Sequence, residues 1–233
     1  MDFLTHGPVD PTVVLPFLAA VALMELTPGP NMGWLAIVSL SQGRTAGLAA
    51  VAGITLGLTL WMVAAAFGLT EVVLLWPALY QTIRWAGVGF LLWLAWDAWR
   101  STGDGAAAPP AETRRRALFR RGLIGNLLNP KAALLYIVLL PGFIRPEHGS
   151  TLVQALTLGT LHVLVSIIVH SIIVLTAARA GGALLTRAQG PSLRAAMALG
   201  LVAIAVWTAW ETRAEPPEPR DPNQGGTTSV AVR

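Results

Sequence analysis

The side chains best suited to chemistry fall in two short proline-bearing stretches inside otherwise apolar sequence. The first is Glu25-Leu26-Thr27-Pro28-Gly29-Pro30-Asn31. Two prolines around a glycine interrupt a helix: Pro28 removes the bond that the Met24 carbonyl would accept, and Pro30 does the same to Leu26. Carbonyls freed in lipid are costly unless protein, water or a ligand satisfies them. Such a break offers bare C=O and N–H groups to a solute that carries both an ammonium and a carboxylate. The plainer reading is a proline kink satisfied by a neighbouring helix. One proline would favour the kink; the whole cluster favours the site.

The second stretch is Asn126-Leu127-Leu128-Asn129-Pro130-Lys131. Lys131 lies roughly 15 Å of helix beyond the Arg120–Arg121 pair, near the bilayer centre. Ionisable groups at that depth are functional by default. The structural alternative is a Lys131–Glu25 ion pair that locks two halves of the protein together, and such a pair is compatible with both roles. A carboxylate that responds to burial and to a nearby cation can also carry a proton, which makes Glu25 the ion-coupling candidate. His162 and His170 share one helix face at i and i+8, with Ser166 and Ser171 nearby. They fit polar lining of a pathway and ordinary packing equally. Arg84 either snorkels to the surface or lines the pathway, and Asp97 reads as an interfacial charge.

Other chemistries find little support. There is no cysteine, which excludes disulfides and thiolate metal sites, and no metal or cofactor is expected. Phosphate-cradling loops, H-E-x-x-H and a Ser/His/Asp constellation do not present themselves. The arginines lie between apolar runs rather than in a nucleic-acid-binding patch, so no nucleic-acid partner is expected.

These residues need helices in lipid to position them. The 233 residues are 54% hydrophobic and 12% charged, about half the charged fraction of a soluble chain, and the mean hydropathy is +0.61. Apolar runs fall near 12–40, 46–70, 77–99, 122–144, 151–178 and 194–212, enough for about six spans. The first run is too long for one straight crossing and must tilt, break or follow the interface. The N-terminal residues carry Asp2 and Asp10 without Lys or Arg, so the first run is expected to stay rather than be cleaved as a signal peptide. Trp76, Trp96, Trp99, Trp207 and Trp210 mark span edges, whereas Trp34, Trp61, Trp85 and Trp93 read as deeper packing residues.

Arginine sets the orientation. Arg44, the stretch Arg100 to Arg121 and the group Arg179, Arg187 and Arg194 fall on one side of a six-span path. The positive-inside rule makes that side cytoplasmic and puts both termini outside. The expected organisation is a single transmembrane domain over 1–213, with halves at about 12–99 and 122–212 and an Arg-rich cytoplasmic loop at 100–121. The tail 214–233 is expected to be disordered. Pro28 and Pro130 lie 102 residues apart, and the same offset carries the second run onto the fifth and the third onto the sixth. Three spans per half would invert the two halves relative to each other, and matching interruptions point to a transporter site. The fold class is therefore an all-α integral membrane protein of six transmembrane helices, two inverted three-helix repeats with broken first and fourth helices.

In these motifs the sequence resembles the LysE/RhtB family of bacterial amino-acid exporters. The resemblance runs through Leu26-Thr27-Pro28-Gly29-Pro30-Asn31 and then Ser41-Gln42-Gly43-Arg44-Thr45-Ala46-Gly47-Leu48. It continues through Arg84-Trp85-Ala86-Gly87-Val88-Gly89-Phe90-Leu91 and Gly125-Asn126-Leu127-Leu128-Asn129-Pro130-Lys131-Ala132. It covers about residues 10–212 in order and spacing. Thr27, Pro28, Gly29, Pro30, Asn31, Asn129, Pro130 and Lys131 fall on characteristic positions. Glu25 departs from the pattern, where an uncharged residue is usual, and Arg84 and Phe90 stand where lysine and an aromatic, often tyrosine, are common.

The resemblance implies a secondary exporter of amino acids or similar small zwitterions, driven by an ion gradient and most simply by proton antiport. Its setting would be the bacterial cytoplasmic membrane, with a homodimer left open. Thr27, Asn31, Asn126 and Asn129 would hydrogen-bond the substrate, Lys131 would face its carboxylate, and Glu25 its ammonium or a proton. The rivals are a divalent metal-ion exporter using Glu25, His162 and His170, an intramembrane enzyme and a non-transporting scaffold.

Overall fold

A computed structural model describes residues 7–68, 76–100, 110–184 and 191–211. Over these residues the chain is helical, without strands. The helices are α1 (Pro11–Leu26), α2 (Pro30–Gln42), α3 (Arg44–Ala66), α4 (Pro77–Arg100), α5 (Ala111–Leu127), α6 (Pro130–Leu134), α7 (Thr151–Leu184) and α8 (Pro191–Glu211). After α6 the backbone continues through a π turn over Leu135–Leu139 and a 3-10 turn over Leu140–Phe143.

The termini follow local chemistry. Asp10 caps α1, accepting from the Thr12 amide and hydroxyl, and these bonds hold its carboxyl below the ordinary carboxylate range. Proline occupies the first turn of α1, α2 and α6, where its missing N–H has no helical partner to lose.

Both expected breaks are present. α1 and α2 meet at 54° across Thr27–Gly29, and α5 meets the segment Pro130–Phe143 at 51°. The expected loop at 100–121 is corrected over part of its length: from Ala111 it is helical and belongs to α5. Arginine, alanine and leucine are good helix formers, and Glu112 pairs with Arg116 one turn on at 2.8 Å, the favourable order of charges. Residues 101–109, and the tail expected to be disordered, lie outside the described residues.

α3 and α7 are each long and apolar enough to cross a membrane, and each bent pair qualifies if read as one span. That gives two to four candidate spans among the described residues, not the six expected. α4 falls short because Gln81, Arg84, Asp97 and four tryptophans dilute its hydropathy, and the apolar part of α8, Ala195–Trp210, is short. The outward faces are oily nonetheless: Leu15, Leu23, Leu60, Leu164, Ile168, Leu199 and Val206 are exposed. Water would penalise such a surface and lipid would not.

Close backbone packing forms the interior. A side chain at Gly53 of α3 would run into the Phe119 carbonyl of α5, and one at Gly122 into the Ala50 carbonyl. Small residues let these helices touch, the common solution where lipid supplies no hydrophobic drive. α3 also packs on α7, α4 on α8, and α1 and α2 on α7. Trp34 and Trp61 are buried as expected of packing residues, but Trp85 and Trp93 are about half exposed. Arg84 and Arg121 guanidiniums lie over them at 5.0 and 5.1 Å from the ring centroids.

Candidate functional site

The two breaks face each other, and a crevice opens between them. It is lined by Glu25, Gly29, Asn31, Asn126, Asn129, Lys131, His162 and His170, with Met24, Met32, Leu58, Ala132 and Leu135 as its apolar wall. A second crevice, mostly apolar, shares Asn31 and Asn129 and runs past Trp34, Phe90, Leu94 and Leu128 to Arg121. The two asparagines thus stand where the crevices meet.

Each polar group owes its place to the breaks. Lys131 sits in the first turn of α6, and its ammonium donates to the Thr27 carbonyl at 2.5 Å. A carbonyl at the first break is therefore satisfied by a cation from the second. Gly29 leaves room for this approach, since a Cβ there would lie 3.3 Å from the Lys131 side chain. Asn129 caps α6, its Oδ1 accepting from the Lys131 amide at 3.0 Å. Pro30 and Asn31 are buried in the first turn of α2, where the helix dipole favours a negative charge.

Asn126 is fully buried, and neither its Oδ1 nor its Nδ2 has a hydrogen-bond partner among the described residues. Orphaned amides of this kind cost about 1–3 kcal/mol and call for an explanation such as a ligand or water. Gly57 of α3 backs this side chain closely: a Cβ at that position would lie 2.7 Å from Oδ1.

Glu25, at the end of α1, is nearly buried, its side chain 12% exposed. One carboxylate oxygen meets His162 Nε2 at 3.1 Å and the other lies 3.7 Å from His170 Nε2. His162 Nδ1 is 2.8 Å from the Tyr136 hydroxyl, and His170 Nδ1 is 2.9 Å from the Ser166 hydroxyl.

Some predicted residues lie elsewhere. Thr27 and Pro28 are exposed at the rim, and the Thr27 hydroxyl donates back to the Leu23 carbonyl at 2.8 Å. Arg84 does not line this crevice. It is buried between α4 and α8, donating to Gln81 at 3.0 Å and to the Ala209 carbonyl at 2.8 Å. Tyr136 is the residue that sequence reasoning misses, although it is one of only two tyrosines and follows Lys131 by five residues in an apolar run.

Apolar-faced helices, two broken in register around a crevice with charges of both signs, define a helical membrane protein of the transport class. The chain belongs to the LysE type translocator family, whose family model matches residues 22–211. That membership places it among transporters rather than enzymes. It is 36% identical over 91 residues to a homoserine/homoserine lactone efflux protein of Salmonella typhi, covering 39% of this chain and 44% of that protein. It is 30% identical over 164 residues to a leucine efflux protein of Salmonella typhimurium, covering 70% and 77% respectively. An uncharacterized membrane protein of Bacillus subtilis is 26% identical over 166 residues, 66% of this chain and 78% of that one. The alignment thus spans less than half the length of the homoserine relative. No solved structure gives a significant match.

Proposed function

We propose that this chain is a secondary transporter exporting amino acids or similar small zwitterions across the bacterial cytoplasmic membrane by proton antiport. The observation that carries the reading is the crevice itself: Glu25 and Lys131 line it from opposite breaks, beside the orphaned amide of Asn126. A zwitterion has the complementary charges. Lys131 and the α2 N-terminus would take the carboxylate, Glu25 the ammonium, and Asn126 the remaining hydrogen bonds. Efflux names among the relatives support the same substrate class.

The six-span inverted repeat is part of this proposal. Support comes from which helices pack: α3 against α7, α4 against α8, the first broken pair against α7 and the second against α3. A pseudo-twofold relation between halves would exchange these contacts among themselves. The one-domain organisation over 1–213 and the outside termini belong to the same reading. The metal-exporter rival gains little, since no group of three His, Cys, Asp or Glu among the described residues is arranged to hold an ion.

The test is export of a labelled amino-acid panel from cells expressing the wild type, Lys131→Ala or Glu25→Gln. We expect export by the wild type and at least a tenfold loss in both variants. Normal export by both would sink the site assignment, and a change confined to metal tolerance would favour the metal rival.

A further inference from the structure

Glu25 has a histidine on each side, His162 within hydrogen-bond distance at 3.1 Å and His170 at an ion-pair distance of 3.7 Å. Each carboxylate oxygen faces the Nε2 of a histidine from α7, and each histidine's Nδ1 faces a hydroxyl, Tyr136 for His162 and Ser166 for His170. His162, Tyr136 and Ser166 are at most 1% exposed and His170 is 4% exposed. Lys131, from α6, is the other charged group acting on the carboxylate.

We propose that the Tyr136–His162–Glu25–His170–Ser166 chain is the proton-binding site of the transporter, with Tyr136 and Ser166 as positioning residues. The proposal rests on the proton-coupled reading above and deepens it. A neutral His162 donates from Nε2 to Glu25, and its Nδ1 accepts from the Tyr136 hydroxyl. When a proton binds at Nδ1, that nitrogen becomes a donor and the hydroxyl rotates to accept. A hydroxyl serves in both states because it is donor and acceptor at once; a backbone carbonyl would hold only one. At His162 neither ring nitrogen is then orphaned in either state, which removes the hydrogen-bonding part of the penalty on protonating a buried imidazole.

The same arrangement supplies the antiport logic. An imidazolium at His162 or His170 neutralises Glu25 and leaves no charge for a substrate ammonium. Loss of that proton frees the carboxylate to bind the ammonium instead. One anion with two competing cations enforces exchange, and the proton leaves or enters with only the direction of the hydroxyl's hydrogen bond reversing.

Histidine-labelled full-length protein in lipid nanodiscs, followed by NMR against pH, tests the site without any substrate. The ring-nitrogen shifts of His162 and His170 are expected to change with pH as each gains or loses a proton. Tyr136→Phe should move the His162 midpoint by at least about half a unit and Ser166→Ala that of His170, while Glu25→Gln should move both. Absence of titration at both histidines, or midpoints unmoved by Glu25→Gln, would overturn the proposal. In proteoliposomes, Tyr136→Phe and Ser166→Ala should each lose at least fivefold of pH-gradient-driven export. Undiminished gradient-driven export would also overturn it. Wild-type protein that exchanges no amino acid would sink the transport reading alone, with the titration still deciding the proton site.

Discussion

Asn126 condenses the tension between stability and function at the scale of one residue. Its amide is fully buried without partners among the described residues, a burden the fold carries for no structural gain. Replacing it by leucine, which has the same branched shape and no polar atoms, would relieve about 1–3 kcal/mol of unmet hydrogen bonding. Asn126→Leu is therefore expected to melt at the wild-type temperature or higher while export falls at least tenfold. A thermal melt in detergent beside an export assay checks this, and a destabilised but active variant would show that the amide has a structural partner. Nothing in a single sequence marks this asparagine off from Asn129, three residues on. The difference arises in space, where Asn129 turns its oxygen to the Lys131 amide and Asn126 faces Gly57.

At the scale of elements, the breaks are legible in the sequence and the rotations are not. Pro28, Pro30 and Pro130 forbid particular hydrogen bonds, and that local rule holds whatever packs around them. The Arg-rich start of α5 reads as a loop because its polarity outweighs its helix propensity, which carries no sign of what the helix touches. Pairing of Glu25 with His162 joins residues 137 apart in sequence, and it depends on how α1 and α7 rotate against each other. Close packing of α3 on α5 sets such rotations, through glycines where backbone meets backbone. Gly53→Ala would drive a methyl into the Phe119 carbonyl. An overpacked site of this kind costs about 1–3 kcal/mol, so a lower melting temperature and poorer recovery of folded protein are expected. Gly89, which has open space around it, provides the control: Gly89→Ala should melt no lower than the wild type, since alanine in a helix interior is favoured over glycine by about 0.5–1 kcal/mol.

Over the whole molecule, the first broken pair is the span hardest to place from hydrophobicity alone, and its neighbour resolves its path. α1 begins where α7 begins, with Asp10 and His148 at 4.0 Å. α2 ends where α7 ends, where a side chain at Gly181 would meet the Leu40 carbonyl. The bent pair therefore runs the length of a helix whose apolar stretch, Thr151–Gly181, is itself long enough to cross. The opposite ends of the bundle carry their own ties, Arg121 to Asp97 at 2.7 Å on one side and Arg84 to the Ala209 carbonyl on the other. Each tie joins residues that a six-span path puts on the same side. The chain has no cysteine, so single cysteines report sidedness without background. Cysteines replacing the exposed residues Ala78 and Glu147 should react with a membrane-impermeant thiol reagent on intact cells. Cysteines replacing Thr45 and Thr113, beside the arginines, should react only after permeabilisation. Labelling of Thr45→Cys together with Ala78→Cys from outside would mean that α3 does not cross, and the three-plus-three arrangement would fall with it.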